Sequence, residues 1–140
     1  MMQVEPGVIS LSGKVVVVTG GARGIGLATA QLARQCGAQV VSCDISAEDD
    51  EQQCADGIVG LKGDVSREED CDRLIEETME RFDRVDVLVN NAGIVEVTQR
   101  TINQDIGAWR KTMDVNLQGT FMMSRAAARA MVSRSIPGSI

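Results

Sequence analysis

A parallel α/β sheet with helices on both faces is the fold class that three features of the sequence predict. Lys14 to Thr19 (KVVVVT) is a continuous β-branched run, as in a strand buried on both faces. Gly20 to Gly26 breaks it with four glycines in seven residues. Beyond that break, apolar runs of strand length alternate with segments at helical spacing. Intervening helices of ten or more residues make such strands parallel rather than hairpin-paired.

After the break, Ile25, Ala28, Leu32, Ala33 and Cys36 recur at helical spacing, and Gly37 suits the residue that ends the helix. Ala38 to Cys43 (AQVVSC) is a second strand, ending at Asp44. Ser46 to Asp56 is polar; Ser46 with Asp49 three residues on resembles a helix start, and Glu48-Asp49-Asp50-Glu51 read as its solvated face. Gly57 to Lys62 (GIVGLK) is a third strand, closed by Asp64-Val65. Ser66-Arg67-Glu68-Glu69 has the spacing of a capping box. Cys71, Leu74, Ile75, Thr78, Met79 and Phe82 then form one amphipathic stripe. Arg84 to Val89 (RVDVLV) is the fourth strand, Asn103 to Met113 a helix carrying Trp109, and Val115 to Arg134 a long helix with Leu117, Phe121, Ser124, Ala128 and Met131 on one face. Pro137-Gly138 stops it, and Ser139-Ile140 begin a further strand. Right-handed crossovers predict the sheet order 3-2-1-4, with a switch point between the first and fourth strands.

Composition narrows the function classes. The 140 residues hold 14 Lys plus Arg against 20 Asp plus Glu, a net charge of −6, which gives no nucleic-acid footprint. No apolar run approaches the ~18 residues of a membrane span. Met1 to Leu11 carries Glu5 and Pro6 and no basic region, unlike a secretory signal, so cytoplasmic residence is the default expectation. There is no histidine and no tyrosine. This removes His-based metal sites, His-activated nucleophiles and any phenolic acid. The cysteines at 36, 43, 54 and 71 have no CxxC spacing and read as reduced, packed thiols. No metal site is expected.

Gly20-Gly21-Ala22-Arg23-Gly24-Ile25-Gly26 joins a buried strand to a helix. A pyrophosphate can sit on backbone N–H groups at such a helix start. Side chains at Gly20 or Gly24 would hold it away, and one at Gly26 would push the helix off the strand. Asp44, 18 residues beyond Gly26 at the end of the second strand, suits the hydroxyls of an adenosine ribose and repels a 2′-phosphate. Arg23 pulls the other way, since a guanidinium there could pair with that phosphate. Asp44 could instead cap a helix, and Arg23 could be a solvated cation. A nucleotide-triphosphate P-loop does not fit, because Leu27-Ala28 follow the last glycine where Lys-Ser/Thr would be needed.

Thr19-Gly20-Gly21-Ala22-Arg23-Gly24-Ile25-Gly26 resembles the TGxxxGIG signature of the short-chain dehydrogenase/reductases, a Rossmann-type family. Asn90-Asn91-Ala92-Gly93 resembles its NNAG motif, Asp64-Val65 its adenine contact, and Val115-Asn116-Leu117-Gln118-Gly119 the segment bearing its catalytic-tetrad Asn. The resemblance covers residues 14 to 119 and leans toward the 17β-hydroxysteroid dehydrogenase branch. It implies one NAD(P)-binding domain over residues 1–140, with 1–12 an N-terminal extension. It implies NAD, with NADP second, and hydride transfer between a nicotinamide and an alcohol or ketone, steroid-like ones among them. The implied cofactor contacts are Gly20, Arg23, Gly24, Ile25, Gly26, Asp44, Asp64, Val65, Asn91 and Gly93. Asn116 is the tetrad residue, its main-chain carbonyl holding a relay water; by itself it reads equally as a helix kink. The family's oligomers imply a homo-oligomer when the chain is complete.

The pattern then departs from the family. Relatives continue into a fifth strand bearing a catalytic Ser and a helix bearing Tyr-x-x-x-Lys. This chain reads as truncated after the fourth strand and its following helices, with Ser139 too early to be that Ser. Two readings remain: the cofactor-binding part of an oxidoreductase, inactive alone, or a non-catalytic nucleotide-binding or regulatory isoform that pairs with full-length subunits. Without a fifth strand, Val85, Val87, Leu88 and Val89 are expected to form an exposed apolar edge.

Overall fold

The computed structural model describes residues 9–47, the backbone of 52–54, and 57–140. Its strands are β1 (Val15–Thr19), β2 (Gln39–Asp44), β3 (Gln52–Cys54), β4 (Ile58–Lys62) and β5 (Val87–Val89). They lie in the order β3-β4-β2-β1-β5. The parallel pairings expected from the sequence are reproduced: β4, β2, β1 and β5 are successive parallel neighbours in the 3-2-1-4 arrangement. Val17 stands between Val41 and Leu88, which sets the register across the centre.

Period-two alternation assigns the strand side chains to two cores. Val16, Val18, Val40 and Ile58 pack against Ala30 and Ala33 of α1 (Gly24–Gln35). Val17, Val41, Cys43, Val59 and Leu61 pack on the other face, under α2 (Glu68–Phe82) and α4 (Thr120–Ser133). Gly37, at φ +96°, ends α1 in a left-handed turn. There Gly37 N–H donates to Arg34 and Ala38 N–H to Ala33, which satisfies the last helical carbonyls.

Several expectations are corrected. Ser46 starts no helix; its N–H and hydroxyl turn back to the Asp44 carboxylate, at 2.9 and 2.7 Å. Gln52–Cys54 is a strand, antiparallel to β4 on the sheet edge. The Glu48–Glu51 run lies outside the described residues. Ser66 does not cap α2: Arg67 holds the cap position without a side-chain cap, and the Ser66 N–H and hydroxyl are turned to Asp64 Oδ1. The helix is entered instead through Asp70, whose carboxylate accepts the Asp64 N–H at 2.8 Å.

The helical run after residue 105 differs as well. Asp105 caps α3 (Ile106–Met113) through the Ala108 N–H. Asp114–Gly119 is a π-helical turn, and the backbone stays helical on either side of it into α4. Of the expected stripe Met131 is buried, but Leu117 and Phe121 are each 61% exposed, and Met122, Met123, Ala126 and Ala127 complete the inner face.

The β5 edge is less open than expected. Val85 and Leu88 are buried under α4, and Val87 and Val89 are only partly exposed. Ser139 bridges Val87 in parallel, with Leu88 N–H donating to its carbonyl at 3.0 Å and its own N–H donating to Asp86 at 2.9 Å. No helix of the described residues is long and apolar enough to cross a membrane.

Asp86 anchors the opposite end of the sheet from the glycine turn. Its side chain is 3% exposed and accepts the Val15 N–H at 2.9 Å, both Arg84 nitrogens at 2.8 and 2.6 Å, and Lys14 at 3.4 Å. The Arg84 hydrogen bonds outweigh burial and hold its pKa below the ordinary value. A depressed folded-state pKa contributes stability that is complete above the unfolded value of about 3.9 and lost as pH falls through the folded one. Asp86→Asn should thus lower the urea midpoint at pH 7 and flatten its fall as pH drops below the unfolded value of about 3.9. An unchanged acid limb in urea titrations would show that other carboxylates control it.

Candidate dinucleotide cleft at the carboxyl edge of the sheet

The glycine turn follows β1 because its backbone demands it. Gly20 and Gly24 sit at φ +65° and +57°, where a side chain is strained. The turn is also crowded on one side and open on the other. A Cβ at Gly20 would lie 2.9 Å from Ala92 Cα, whereas one at Gly24 would meet open space. Gly26 differs from its expected role: its Cβ would collide with the Gly20 carbonyl and the Asn91 amide, so it is the turn, not the strand, that leaves no room. Gly21 is similarly closed by Ser42 beneath it.

Two side chains hold this turn from opposite sides. Asn91 Nδ2 donates to the carbonyls of Thr19 and Gly20, both at 3.0 Å. Asp44 Oδ2 accepts the Ala22 N–H at 3.1 Å. Burial raises the Asp44 pKa, but the Ser46 and Ala22 hydrogen bonds and the Arg23 charge outweigh it, so the carboxyl stays ionised below its usual range. Thr19 joins the strand ends themselves. Its hydroxyl accepts the N–H groups of Asn91 at 3.1 Å and Ala92 at 3.0 Å and donates to Val89. The sequence places Thr19 in the motif without marking this role; the signal is a polar residue closing a run of buried valines.

The start of α1 suits an anion. Arg23 occupies the cap position with no side-chain acceptor for the helix N–H groups, and Ile25 beside it is exposed. The first N–H groups of any helix have no intrahelical partner, and the helix dipole favours negative charge there.

The remaining expected residues line the same edge. Asp64, after β4, keeps Oδ1 for Ser66, which leaves Oδ2 for another donor. Val65 is buried against Gly119, and its carbonyl accepts the Cys71 thiol at 3.2 Å. Burial pushes the Cys71 thiol up to about 11 and Cys43 to about 12, so both are packed and unreactive. Gly93 is not crowded; a Cβ would sit 3.4 Å from Asn116 Oδ1, ordinary contact. Asn116 lies in the π-helical turn. Its amide clasps the backbone of residue 94, accepting the Ile94 N–H at 2.8 Å and donating to the Ile94 carbonyl at 2.9 Å. Its own carbonyl accepts the Thr120 hydroxyl at 3.0 Å. Among the described residues, no cluster of metal-ligating side chains occurs.

This geometry agrees with comparison to known proteins. Residues 14–140 match the family model described as short chain dehydrogenase. The chain is 42% identical over 118 residues to L-fucose dehydrogenase of Mus musculus, covering 83% of this chain and 43% of that protein. It is 40% identical over 125 residues to 11-beta-hydroxysteroid dehydrogenase A of Sesamum indicum, covering 84% and 36%. It is 36% identical over 135 residues to Short-chain dehydrogenase reductase 3b of Arabidopsis thaliana, covering 93% and 52%. The chain thus spans about half or less of these relatives' length. A model match over nearly its whole length, on a sheet whose glycine turn and Asn91 brace are in place, shows that the chain belongs to the short-chain dehydrogenase family.

Proposed function

We propose that the chain is the cofactor-binding part of an NAD-dependent oxidoreductase that interconverts an alcohol and a ketone. The observation that carries this reading is the uncapped start of α1 beside an ionised Asp44. Backbone N–H groups of Gly24, Ile25 and Gly26 would take the pyrophosphate, and Gly20 and Gly24 keep its approach clear. Asp44 would accept the ribose hydroxyls; its charge opposes a 2′-phosphate, which favours NAD over NADP. Asp64 and Val65 would border the adenine, and Gly93 would lie by the nicotinamide ribose. A bound nicotinamide supplies hydride transfer. Asn116, by holding residue 94, fixes the loop beside that position.

L-fucose dehydrogenase and 11-beta-hydroxysteroid dehydrogenase A act on sugar-like and steroid-like substrates by their names, and an alcohol or ketone of that kind is the substrate class proposed. The 140 residues hold no tyrosine. A phenol to exchange the substrate proton must come from outside them, so this stretch alone is expected to bind dinucleotide without turnover. The same absence favours, as a second reading, a non-catalytic nucleotide-binding subunit. Added full-length relative would distinguish the two by whether activity appears only in mixed assemblies.

Isothermal titration with NAD and NADP tests the cofactor assignment. NAD should bind more tightly than NADP. Asp44→Ala should weaken NAD at least about tenfold, the worth of a charge-assisted hydrogen bond. A folded chain that takes neither dinucleotide would overturn the assignment.

A further inference from the structure

Two neighbouring strands of the sheet end in the same turn. After β2, Asp44 Oδ1 accepts the Ser46 N–H at 2.9 Å and the Ser46 hydroxyl at 2.7 Å. After β4, Asp64 Oδ1 accepts the Ser66 N–H and hydroxyl at the same two distances. In each, a serine two residues beyond the acid takes up one carboxylate oxygen. The turns are joined to one another, because the Gly63 N–H donates to the Asp44 main-chain carbonyl at 3.2 Å. They differ at the second oxygen. Asp44 Oδ2 accepts the Ala22 N–H at 3.1 Å, whereas Asp64 Oδ2 accepts no donor among the described residues.

We propose that Ser46 limits Asp44 to one hydroxyl of the adenosine ribose, where a carboxylate without that serine would take both. This role rests on Asp44 being the ribose acceptor. A carboxylate offers about four acceptor positions, two on each oxygen. At Asp44 the Ser46 N–H and hydroxyl fill both positions on Oδ1, and the Ala22 N–H fills one on Oδ2. A single position on Oδ2 is left for a diol that brings two hydroxyls. Displacing the Ser46 hydroxyl would open a second position, but nothing is gained by it. A ribose hydroxyl would replace a serine hydroxyl of the same chemistry, whose short hydrogen bond to the charged oxygen is already made within the chain. The Ser46 N–H would still hold Oδ1 from the main chain. The second ribose hydroxyl is therefore left without a carboxylate partner.

Isothermal titration with NAD, and with NAD lacking either the 2′- or the 3′-hydroxyl of its adenosine ribose, tests this. In the parent chain one of the two deoxy forms should bind at least about tenfold more weakly than NAD, the loss of a hydrogen bond to a charged group, and the other within about threefold. Ser46→Ala opens the second position on Oδ1, so both deoxy forms should then bind at least about tenfold more weakly than NAD. Ser46→Thr keeps the hydroxyl and should restore the one-sided pattern. General loosening of the turn would weaken NAD and both deoxy forms in parallel, and would not turn a one-sided pattern into a two-sided one. Residue 46 is exposed, and circular dichroism checks that both variants fold. Equal weakening of the two deoxy forms in the parent would overturn the proposal and leave Asp44 as the acceptor of both hydroxyls. A pattern that stays one-sided in Ser46→Ala would overturn it by showing that another group limits Asp44. A parent chain indifferent to both hydroxyls, or one that takes no dinucleotide, would remove Asp44 from the ribose and overturn the cofactor assignment with it.

Discussion

Thr19→Val is expected to cost about 2–6 kcal/mol of stability, because two backbone N–H groups each lose their acceptor at about 1–3 kcal/mol apiece. Valine matches threonine in shape, so the packing of β1 against its neighbours is preserved and the loss isolates the hydroxyl. That hydroxyl is the shared acceptor for Asn91 and Ala92 and the donor to Val89. Thr19 itself is 1% exposed. Thr19→Ser keeps the oxygen and should recover most of the loss. Urea denaturation of the three chains checks this; equal destabilisation of the Ser and Val variants would assign the effect to the methyl group and its packing instead.

Gly26→Ala should abolish dinucleotide binding and destabilise the chain by about 1–3 kcal/mol, the range for forcing a methyl group into a filled site. The added carbon would overlap the Gly20 backbone carbonyl and the Asn91 amide, a side-chain end that two hydrogen bonds hold in place. Relief requires the turn to move or Asn91 to let go, and either change alters the surface that faces an anion. Gly24→Ala is the contrast. Its carbon meets open space, but its φ of +57° strains any side chain, so a smaller stability loss is expected, with the crowding absent. Titration with NAD alongside thermal melting separates the two variants; retained binding in Gly26→Ala would mean that the turn adapts without cost.

Much of the fold was legible because valine runs and glycine breaks act locally. Val15 to Val18 could be read as a doubly buried strand from composition alone, and the crossover rule then ordered the sheet. The misread parts depended on choices between competing partners. Ser66 had the spacing of a cap, yet its hydroxyl turns back to Asp64, Arg67 takes the cap position, and Asp70 ties the helix start to the Asp64 N–H. Leu117 and Phe121 fell on the expected inner face because they are large and apolar, yet α4 turns Met122, Met123, Ala126 and Ala127 inward instead. The π-helical turn before it is not announced by the local composition either. Of the site, the glycines, Asp44 and Asn91 could be placed by motif. What motif reading did not convey is that Asp44 and Asn91 grip the turn itself.

That double grip has a consequence for how binding free energy is divided. A glycine-rich segment loses more conformational entropy on ordering than any other. Here Asn91 and Asp44 immobilise it within the unliganded chain, so the ordering cost falls on folding rather than on association. A ligand arriving at the start of α1 meets donors already aimed. Substitutions that loosen either grip therefore do double harm: they weaken the folded state, and they return the disorder of the turn to the binding step, where it subtracts directly from affinity.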